Sequence, residues 1–212
     1  MQQLVIKTLV VGQLQTNCYI VADLVSQQAM VIDPGDDAEY IINSLRDLNV
    51  NPTQIVATHG HFDHIMAAFE LQQAYDIPFL ISQKDIFLVQ RMHETAEFFL
   101  KIKIPDIPPI ISSHLSADQI LTCGHNPFLL VATPGHTPGS MCLYNQQKNI
   151  LFTGDTLFAG GSVGRTDFSY ASPSEMSSSL RYLKKYPHNT QIYPGHGSTS
   201  SLRETFAHLE IA

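Results

Sequence analysis

Residues 58–64, Thr-His-Gly-His-Phe-Asp-His, constrain this chain more than any other stretch. His59, His61, Asp63 and His64 lie within six consecutive positions. Packing in a protein core gives no reason to crowd so many imidazoles together. Imidazole nitrogens and carboxylate oxygens are, however, the ligands that zinc-like divalent ions prefer. A single histidine could be an ordinary core residue, and Asp63 alone could be a helix N-cap. The cluster as a whole predicts a metal site.

The sequence on either side of the cluster predicts where it lies in the fold. Residues 54–57, Gln-Ile-Val-Ala, are mostly apolar and typical of a short buried strand, and residues 65–74 carry apolar side chains at helical spacing. The cluster is therefore expected on a strand-to-helix loop, where α/β proteins commonly build their sites.

The same arrangement recurs three times further along the chain. A short apolar strand ends in a small residue and then in a metal-capable side chain, at His136, Asp155 and His196. We expect all four strands to end at the same edge of a sheet system. Strands and helices alternate in both halves of the chain, which favours an α+β sandwich of two mixed sheets, face to face, with helices outside.

The predicted elements cover most of the chain. Ser172 is the expected N-cap of one helix, with Pro173 at its first position. Residues 84–115 are the least regular part, with three prolines between 104 and 109, and could form a lid or groove wall. Without a linker or repeat, we expect one domain over residues 1–212, with similar halves at about 1–125 and 126–212. Strands are predicted at 4–11, 17–22, 29–32, 54–57, 78–81, 128–132, 141–144, 149–152 and 191–194, and helices at 37–48, 65–74, 84–101, 173–186 and 200–209.

Composition narrows the environment and the partners. The formal charge is −7, from 12 basic and 19 acidic residues, so we expect no face for nucleic acid or for an anionic membrane. The three cysteines, Cys18, Cys123 and Cys142, include no Cys-x-x-Cys pair, and Cys18 and Cys142 lie in apolar runs. We therefore expect no disulfide framework. Neither a signal peptide nor a membrane-spanning run is predicted, and the expected location is the cytoplasm.

In its motifs and their order, the chain resembles the metallo-β-lactamase superfamily. The resemblance covers nearly the whole sequence: the 58–64 cluster, Pro-Gly-His at 134–136, Gly-Asp-Thr at 154–156, and Tyr-Pro-Gly-His-Gly at 193–197. Within the superfamily, residues 133–140 and 154–158 look most like the glyoxalase II, or hydroxyacylglutathione hydrolase, branch. The resemblance implies the metallo-β-lactamase αββα sandwich.

The resemblance also implies two divalent metal ions, zinc in the first instance, with iron or manganese as alternatives. The implied ligands are His59, His61 and His136 for the first ion, Asp63, His64 and His196 for the second, and Asp155 as the bridge.

Thr58 and Asp33 are candidates for orienting these ligands through hydrogen bonds, although each could equally be an ordinary polar residue at a strand end or turn.

A catalytic role for Asp63 and Asp155 follows from the same resemblance. Water held between two dications loses a proton readily and could attack a carbonyl carbon, so no side-chain nucleophile is needed. The implied activity is hydrolysis of small-molecule S-acyl thioesters such as S-lactoylglutathione. A persulfide dioxygenase with a single iron, and a hydrolase of lactones, β-lactams or phosphodiesters, remain open on the same motifs.

Two features differ from the usual glyoxalase II pattern. Only 16 residues follow His196, so we expect a short, single-domain type without the helical C-terminal extension that helps to hold glutathione. Where a lysine and a tyrosine usually contact glutathione, this chain has Gly-Gly-Ser-Val-Gly-Arg-Thr-Asp-Phe at 160–168. Arg165 could bind a substrate carboxylate, but a structural pair with Asp167 is the favoured interpretation.

Overall fold

The computed structural model describes residues 4–101, 103 and 107–209, and it contains two six-stranded mixed sheets. In the first sheet, neighbouring strands follow chain order: β1 (Leu4–Val11), β2 (Thr16–Asp23), β3 (Gln28–Ile32), β4 (Asn51–Val56), β5 (Phe79–Ser82) and β6 (Ile111–Leu115). Strands β1 to β3 are antiparallel, whereas β3 to β6 are parallel.

The second sheet also follows chain order, and it begins after residue 115. Its strands are β7 (Ile120–Cys123), β8 (Asn126–Ala132), β9 (Met141–Asn145), β10 (Ile150–Gly154), β11 (Gln191–Pro194) and β12 (Ser200–Ser201). Only the β10–β11 pair is parallel among these described strands.

Helices cover the outer faces of both sheets. None of the helices within the described ranges is long and apolar enough to cross a membrane. The helices are α1 (Ala38–Asp47), α2 (Ala68–Tyr75), α3 (Ile86–Gln90), α4 (Met92–Leu100), α5 (Pro173–Leu183) and α6 (Leu202–Ala207), with 3₁₀ turns at Phe62–His64, Gln83–Asp85 and Ala159–Gly161.

Alternation along β2 shows how the layers pack. Tyr19 and Val21 point between the sheets, where they join Phe128 and Phe152 of the second sheet. Ile20 points to the opposite face, in the cluster that packs under α1, α2 and α4. Successive strand residues face opposite sides of a sheet, so a strand covered on both sides is apolar throughout. A third cluster joins the second sheet to α5 and α6, and the αββα sandwich is confirmed.

The prediction was wrong in detail between residues 84 and 123. The helix predicted at 84–101 is interrupted at Arg91, whose backbone (φ −101°, ψ 12°) separates α3 from α4. Residues 111–115 and 120–123, which were not predicted as strands, form β6 and β7. Each lies at one edge of its sheet; β6 carries three exposed polar residues and β7 has only four residues, so neither gives a long apolar run. Part of the proline-rich stretch, residues 104–106, lies outside the described residues.

Other element boundaries shift by a few residues. The helix predicted at 65–74 begins at Ala68, because a 3₁₀ turn occupies 62–64. The last helix begins at Leu202, with a capping box between Ser201 and Glu204. The cap at the start of α5 is confirmed, since Ser172 Oγ accepts a hydrogen bond from Glu175 N at 3.3 Å. All three cysteines are buried and unpaired.

Candidate metal centre

Four strand ends bring the predicted ligands together. The loop after β4 carries the 58–64 cluster, and the loops after β8, β10 and β11 carry His136, Asp155 and His196. The loop with His196 is tied across to the first sheet, because Asn17 Nδ2 donates to Pro194 O at 2.9 Å and to Gly197 O at 2.8 Å. The site is therefore assembled from both sheets at one edge of the sandwich.

The first group of side chains is formed by three imidazoles. His61 Nδ1 lies 3.1 Å from His59 Nε2 and 2.9 Å from His136 Nε2. Two nitrogen ligands at about 2.0–2.1 Å from a tetrahedral ion are separated by about 3.3 Å. The three nitrogens are therefore spaced nearly as ligands of one ion.

The second group combines Asp63, His64 and His196. Asp63 Oδ2 lies 3.3 Å from His196 Nε2 and 3.6 Å from His64 Nε2. It also accepts a hydrogen bond from Thr16 Oγ1 at 2.9 Å, which fixes the carboxylate. These three residues offer two imidazole nitrogens and one carboxylate oxygen to a common point.

Asp155 lies between the two groups. Its Oδ2 is 3.5 Å from His136 Nε2 and 3.7 Å from His196 Nε2, and its Oδ1 is 3.5 Å from His64 Nε2. The main chain at position 195 comes so close to Asp155 and His64 that only glycine fits there. A Cβ would overlap Asp155 Oδ1 and lie 2.8 Å from His64 Cε1. The carboxylate thus reaches both groups, in the position predicted for a bridge.

Two buried polar atoms in this cluster have no hydrogen-bond partner, His64 Nε2 and Asp155 Oδ1. Buried polar atoms are rarely left unsatisfied. A cation between them would satisfy both. Donor chemistry, nitrogen spacing and these two atoms all fit a pair of divalent ions.

The two predicted orienting residues contact the ligands. Asp33 Oδ2 is 3.0 Å from His64 Nδ1 and accepts a hydrogen bond from Thr58 Oγ1 at 2.7 Å. Thr58 Oγ1 is also 3.1 Å from His59 Nδ1. One hydrogen-bond chain therefore fixes a ring in each group, an arrangement that typically supports metal-bound histidines.

Asp85 was missed by the sequence analysis. This fully buried carboxylate accepts hydrogen bonds from Gly60 N at 3.0 Å, Thr137 Oγ1 at 2.7 Å and Gly139 N at 2.7 Å. It joins the loop that carries His59 and His61 to the loop that carries His136. Asp85 belongs to no recognisable motif. The available signal in the sequence is an acidic residue directly before the apolar start of α3.

Tyr170 was also missed. Its hydroxyl lies 2.8 Å from His61 Nε2, on the opposite side of the ring from Nδ1. His136 is held in a comparable way, with Nδ1 at 2.8 Å from the carbonyl oxygen of Arg165. The segment 165–170 therefore supports two of the three imidazoles in the first group.

Burial and charge divide the histidines into two types. Burial and the neighbouring imidazoles hold the pKa of His59 well below its usual value, and burial with the charge of His136 lowers the pKa of His61 to about 3. Both rings are neutral at pH 7, the form that binds a metal.

His64 behaves in the opposite way. Its burial alone would lower the pKa, but the carboxylates of Asp63, Asp155 and Asp33 raise it to about 10. Burial would raise the pKa of Asp63, yet the charges of His64 and His196 hold it below its usual range. The second group therefore favours positive charge, whether from protons or from a metal ion.

An open groove of about 420 Å³ lies over the cluster. Asp63, Asp155 and His196 reach its lining, together with Arg165. As predicted, Arg165 pairs with Asp167, through Nε–Oδ1 at 2.9 Å and NH2–Oδ2 at 2.8 Å. Thr95 and Phe99 of α4 also line the groove, so part of the segment 84–115 forms a wall.

Comparison with known proteins places this site in a family. The family model of the metallo-beta-lactamase superfamily matches residues 11–196. The chain belongs to the metallo-beta-lactamase superfamily. The αββα sandwich and the histidine–aspartate cluster at one edge of it agree with this membership.

Individual relatives extend this result. The chain is 35% identical to hydroxyacylglutathione hydrolase GloC of Haemophilus influenzae, over 93% of this chain and 92% of that protein. Its structure is similar to that of BLEG-1 B3 metallo-beta-lactamase (TM-score 0.88, 30% identity, 96% of this chain and 97% of the other). It is also similar to TTHA1623, crystallised in a di-iron-bound form (TM-score 0.86, 30% identity, 97% and 100%). Fold, family and candidate ligands together support a metal-dependent hydrolase.

Proposed function

We propose that this chain is a metal-dependent hydrolase of S-acyl thioesters, with S-lactoylglutathione as the first substrate to test. The observation that carries the proposal is the convergence of the seven predicted ligands beneath an open groove, whose lining includes five of them. The similarity to hydroxyacylglutathione hydrolase GloC supports the thioester as the scissile group. The partner is a small molecule rather than nucleic acid or a membrane, and the location is the cytoplasm.

The reaction adds water across the acyl carbon–sulfur bond. The oxygen of water bonds to the acyl carbon, the carbon–sulfur bond breaks, and a proton from water is transferred to the released thiolate. Two divalent ions, zinc in the first instance, would be held by the two groups of ligands with Asp155 shared, and would supply a water of lowered pKa and Lewis acidity toward the carbonyl oxygen.

The described groove residues support water as the nucleophile. The two hydroxyl groups in the described lining are already engaged, Tyr170 with His61 Nε2 at 2.8 Å and Thr95 with Arg91 O at 2.9 Å, and no thiol is present there. All three cysteines are buried, and burial raises the pKa of Cys123 and of Cys142 to about 11, which disfavours the nucleophilic thiolate.

The catalytic role is assigned to the two carboxylates that reach the groove. Asp63 is held by the hydroxyl of Thr16, and its Oδ2 is also close to His196, so its orientation is fixed toward the groove. Asp155 reaches both groups of ligands and serves as the shared carboxylate. Asp33 and Thr58 keep His64 and His59 in place by hydrogen bonds.

The test is hydrolysis of S-lactoylglutathione by zinc-loaded protein, with chelator-stripped protein and the Asp155→Asn variant beside it. We expect metal-dependent loss of the thioester and two ions per chain. Asp155→Asn should lower metal occupancy and activity at least about 10-fold, because a neutral amide bridges two dications poorly. Normal metal content and activity in that variant would show that the bridging assignment is wrong.

Other outcomes lead to the alternative activities. About one iron per chain, with thiol-dependent oxygen uptake and no hydrolysis, would replace the proposal with a persulfide dioxygenase. Two bound ions without cleavage of any thioester, but with cleavage of a lactone, β-lactam or phosphodiester, would keep the metal centre and change the substrate.

A further inference from the structure

Four phenylalanines and one tyrosine line the groove over the metal centre. Phe168 and Tyr170 are stacked, with ring centroids 5.3 Å apart and planes 12° apart, and Phe62 and Phe99 form a second stacked pair at 5.9 Å and 19°. Phe158 lies beside His196, with ring centroids 6.2 Å apart. A substrate that enters the groove therefore contacts ring faces and edges before it reaches the cluster of metal-binding residues.

Away from the metal centre, the described lining of the groove offers little to bind an anionic ligand. Among its described lining residues, Arg165 is the one guanidinium or ammonium group. Arg165 donates hydrogen bonds to Asp167 from two of its N–H groups, on Nε and NH2. Its guanidinium carbon also lies 4.5 Å from the ring centroid of Phe168. A substrate carboxylate at the remaining N–H donors of Arg165 would lie close to the carboxylate of Asp167 and would be repelled by it. Arg165 and Asp167 together contribute no net charge to the groove.

S-Acylglutathione carries two carboxylates and one ammonium group, whereas the described lining offers no cationic side chain besides Arg165, whose charge Asp167 balances. Aromatic rings instead favour apolar or aromatic groups, which gain from burial and from ring contacts. We propose, building on the thioester hydrolase function above, that the groove selects thioesters with an apolar or aromatic acyl group on an uncharged thiol arm.

The proposal is tested with four thioesters and the zinc-loaded full chain. Phenylacetyl and lactoyl groups are each attached to glutathione and to the neutral thiol N-acetylcysteamine. We expect kcat/KM at least about 10-fold higher for phenylacetyl than for lactoyl on both thiols, as for groups that fill an apolar pocket. We also expect no loss of kcat/KM when glutathione is replaced by the neutral thiol.

The result separates the two proposals. Hydrolysis with a smaller acyl preference, or with a 10-fold preference for glutathione, overturns the selectivity and leaves the thioester hydrolase in place. If zinc-loaded protein with two ions per chain cleaves none of the four, the hydrolase proposal and the selectivity built on it both fail.

A variant then tests whether the aromatic lining is the cause. Phe168→Ala should lower kcat/KM for the phenylacetyl thioester at least about 10-fold more than for the lactoyl thioester, because any effect through Tyr170 and His61 acts on both substrates alike. Metal content must be measured alongside, because the ring of Phe168 lies 5.4 Å from that of His61. Tyr40→Ala, an exposed aromatic on α1, is the control and should match the wild type. An equal loss on both substrates with normal metal content overturns the proposed role of Phe168 and the selectivity.

Discussion

The hydroxyl of Tyr170 lies 2.8 Å from the nitrogen of His61 that faces away from the ligand cluster. A hydrogen bond to that nitrogen fixes the rotation of the ring, so that Nδ1 stays directed at His59 and His136. Tyr170 itself is held by its stack on Phe168 and by an edge contact with Phe87 at 5.3 Å. It is therefore a positioning residue for the first group of imidazoles.

Tyr170→Phe should weaken metal binding without unfolding the protein. Removal of an outer hydrogen bond to a ligating histidine typically costs 10–100-fold in metal affinity, and we expect about 10-fold for the ion held by His59, His61 and His136. Competition with a chelator of known affinity measures the change. Tyr40→Phe on α1 is the matched control, since Tyr40 is half exposed and outside the groove lining. Equal zinc affinity in wild type and Tyr170→Phe would contradict the positioning role.

The sequence predicted the ligands and two residues that contact them, Thr58 and Asp33, but not Tyr170. His59, His61, Asp63 and His64 are adjacent in the chain, and His136, Asp155 and His196 each follow a strand within a recognisable motif. Tyr170, in contrast, is 109 positions from His61. Nothing local to either residue encodes their contact, because it depends on how the loop after β10 folds over the cluster.

Asp85 acts at the scale of elements, since it joins two ligand-bearing loops to the turn before α3. Its carboxylate accepts three hydrogen bonds, two from main-chain N–H groups and one from Thr137. Three donors converge on two oxygens, so the arrangement requires a group that only accepts. The loop after β4 and the loop after β8 are thereby fixed to each other.

Asp85→Asn should lower the free energy of unfolding by about 1–3 kcal/mol, because its amide NH₂ would face a buried donor and leave it unsatisfied. Urea unfolding of the chelator-stripped protein measures this loss. Asp76→Asn is the control, since Asp76 is exposed in a left-handed turn that asparagine tolerates. Its change should stay within about 0.5 kcal/mol. Equal stability of wild type and Asp85→Asn would show that the two loops do not depend on this carboxylate.

Helices and strands were predicted well where they are buried on one or both faces, but three of the four described edge strands, β6, β7 and β12, were missed, and only β1 was predicted. β2 is buried along all eight residues and was recognised from its apolar run. β6, with the sequence Ile-Ser-Ser-His-Leu, has three exposed polar residues and pairs on one side only, with β5. Its strand conformation is imposed by that partner, which lies about 30 positions away, rather than by its own composition.

At the scale of the whole molecule, the two sheets must keep a fixed relation, because each contributes ligands. One contact between them lies at the end of β2, where the buried Asp23 meets His125 in the turn between β7 and β8. Asp23 Oδ2 accepts from His125 N at 2.8 Å and is 2.8 Å from His125 Nδ1, and Asp23 Oδ1 accepts from Val25 N at 2.9 Å. Burial would raise the pKa of Asp23, but these hydrogen bonds lower it below its usual range.

This contact should make the stability of the fold sensitive to acid. A carboxyl whose pKa is lower in the folded than in the unfolded state stabilises the fold fully above its unfolded pKa of about 3.9. The contribution is lost as the pH falls from about 4 through the folded pKa. Asp23→Asn cannot ionise, so it should be less stable than wild type by about 1–3 kcal/mol at pH 7, and the difference should shrink at about pH 3.

Urea unfolding of chelator-stripped wild type and Asp23→Asn, at pH 7 and at about pH 3, measures both values. Asp118→Asn, at an exposed turn before β7, is the control and should follow the wild type at both pH values. If the difference between wild type and Asp23→Asn is the same at the two pH values, ionised Asp23 does not hold the sheets together.

Because the ligands come from both sheets, the same variant should also bind zinc more weakly at pH 7.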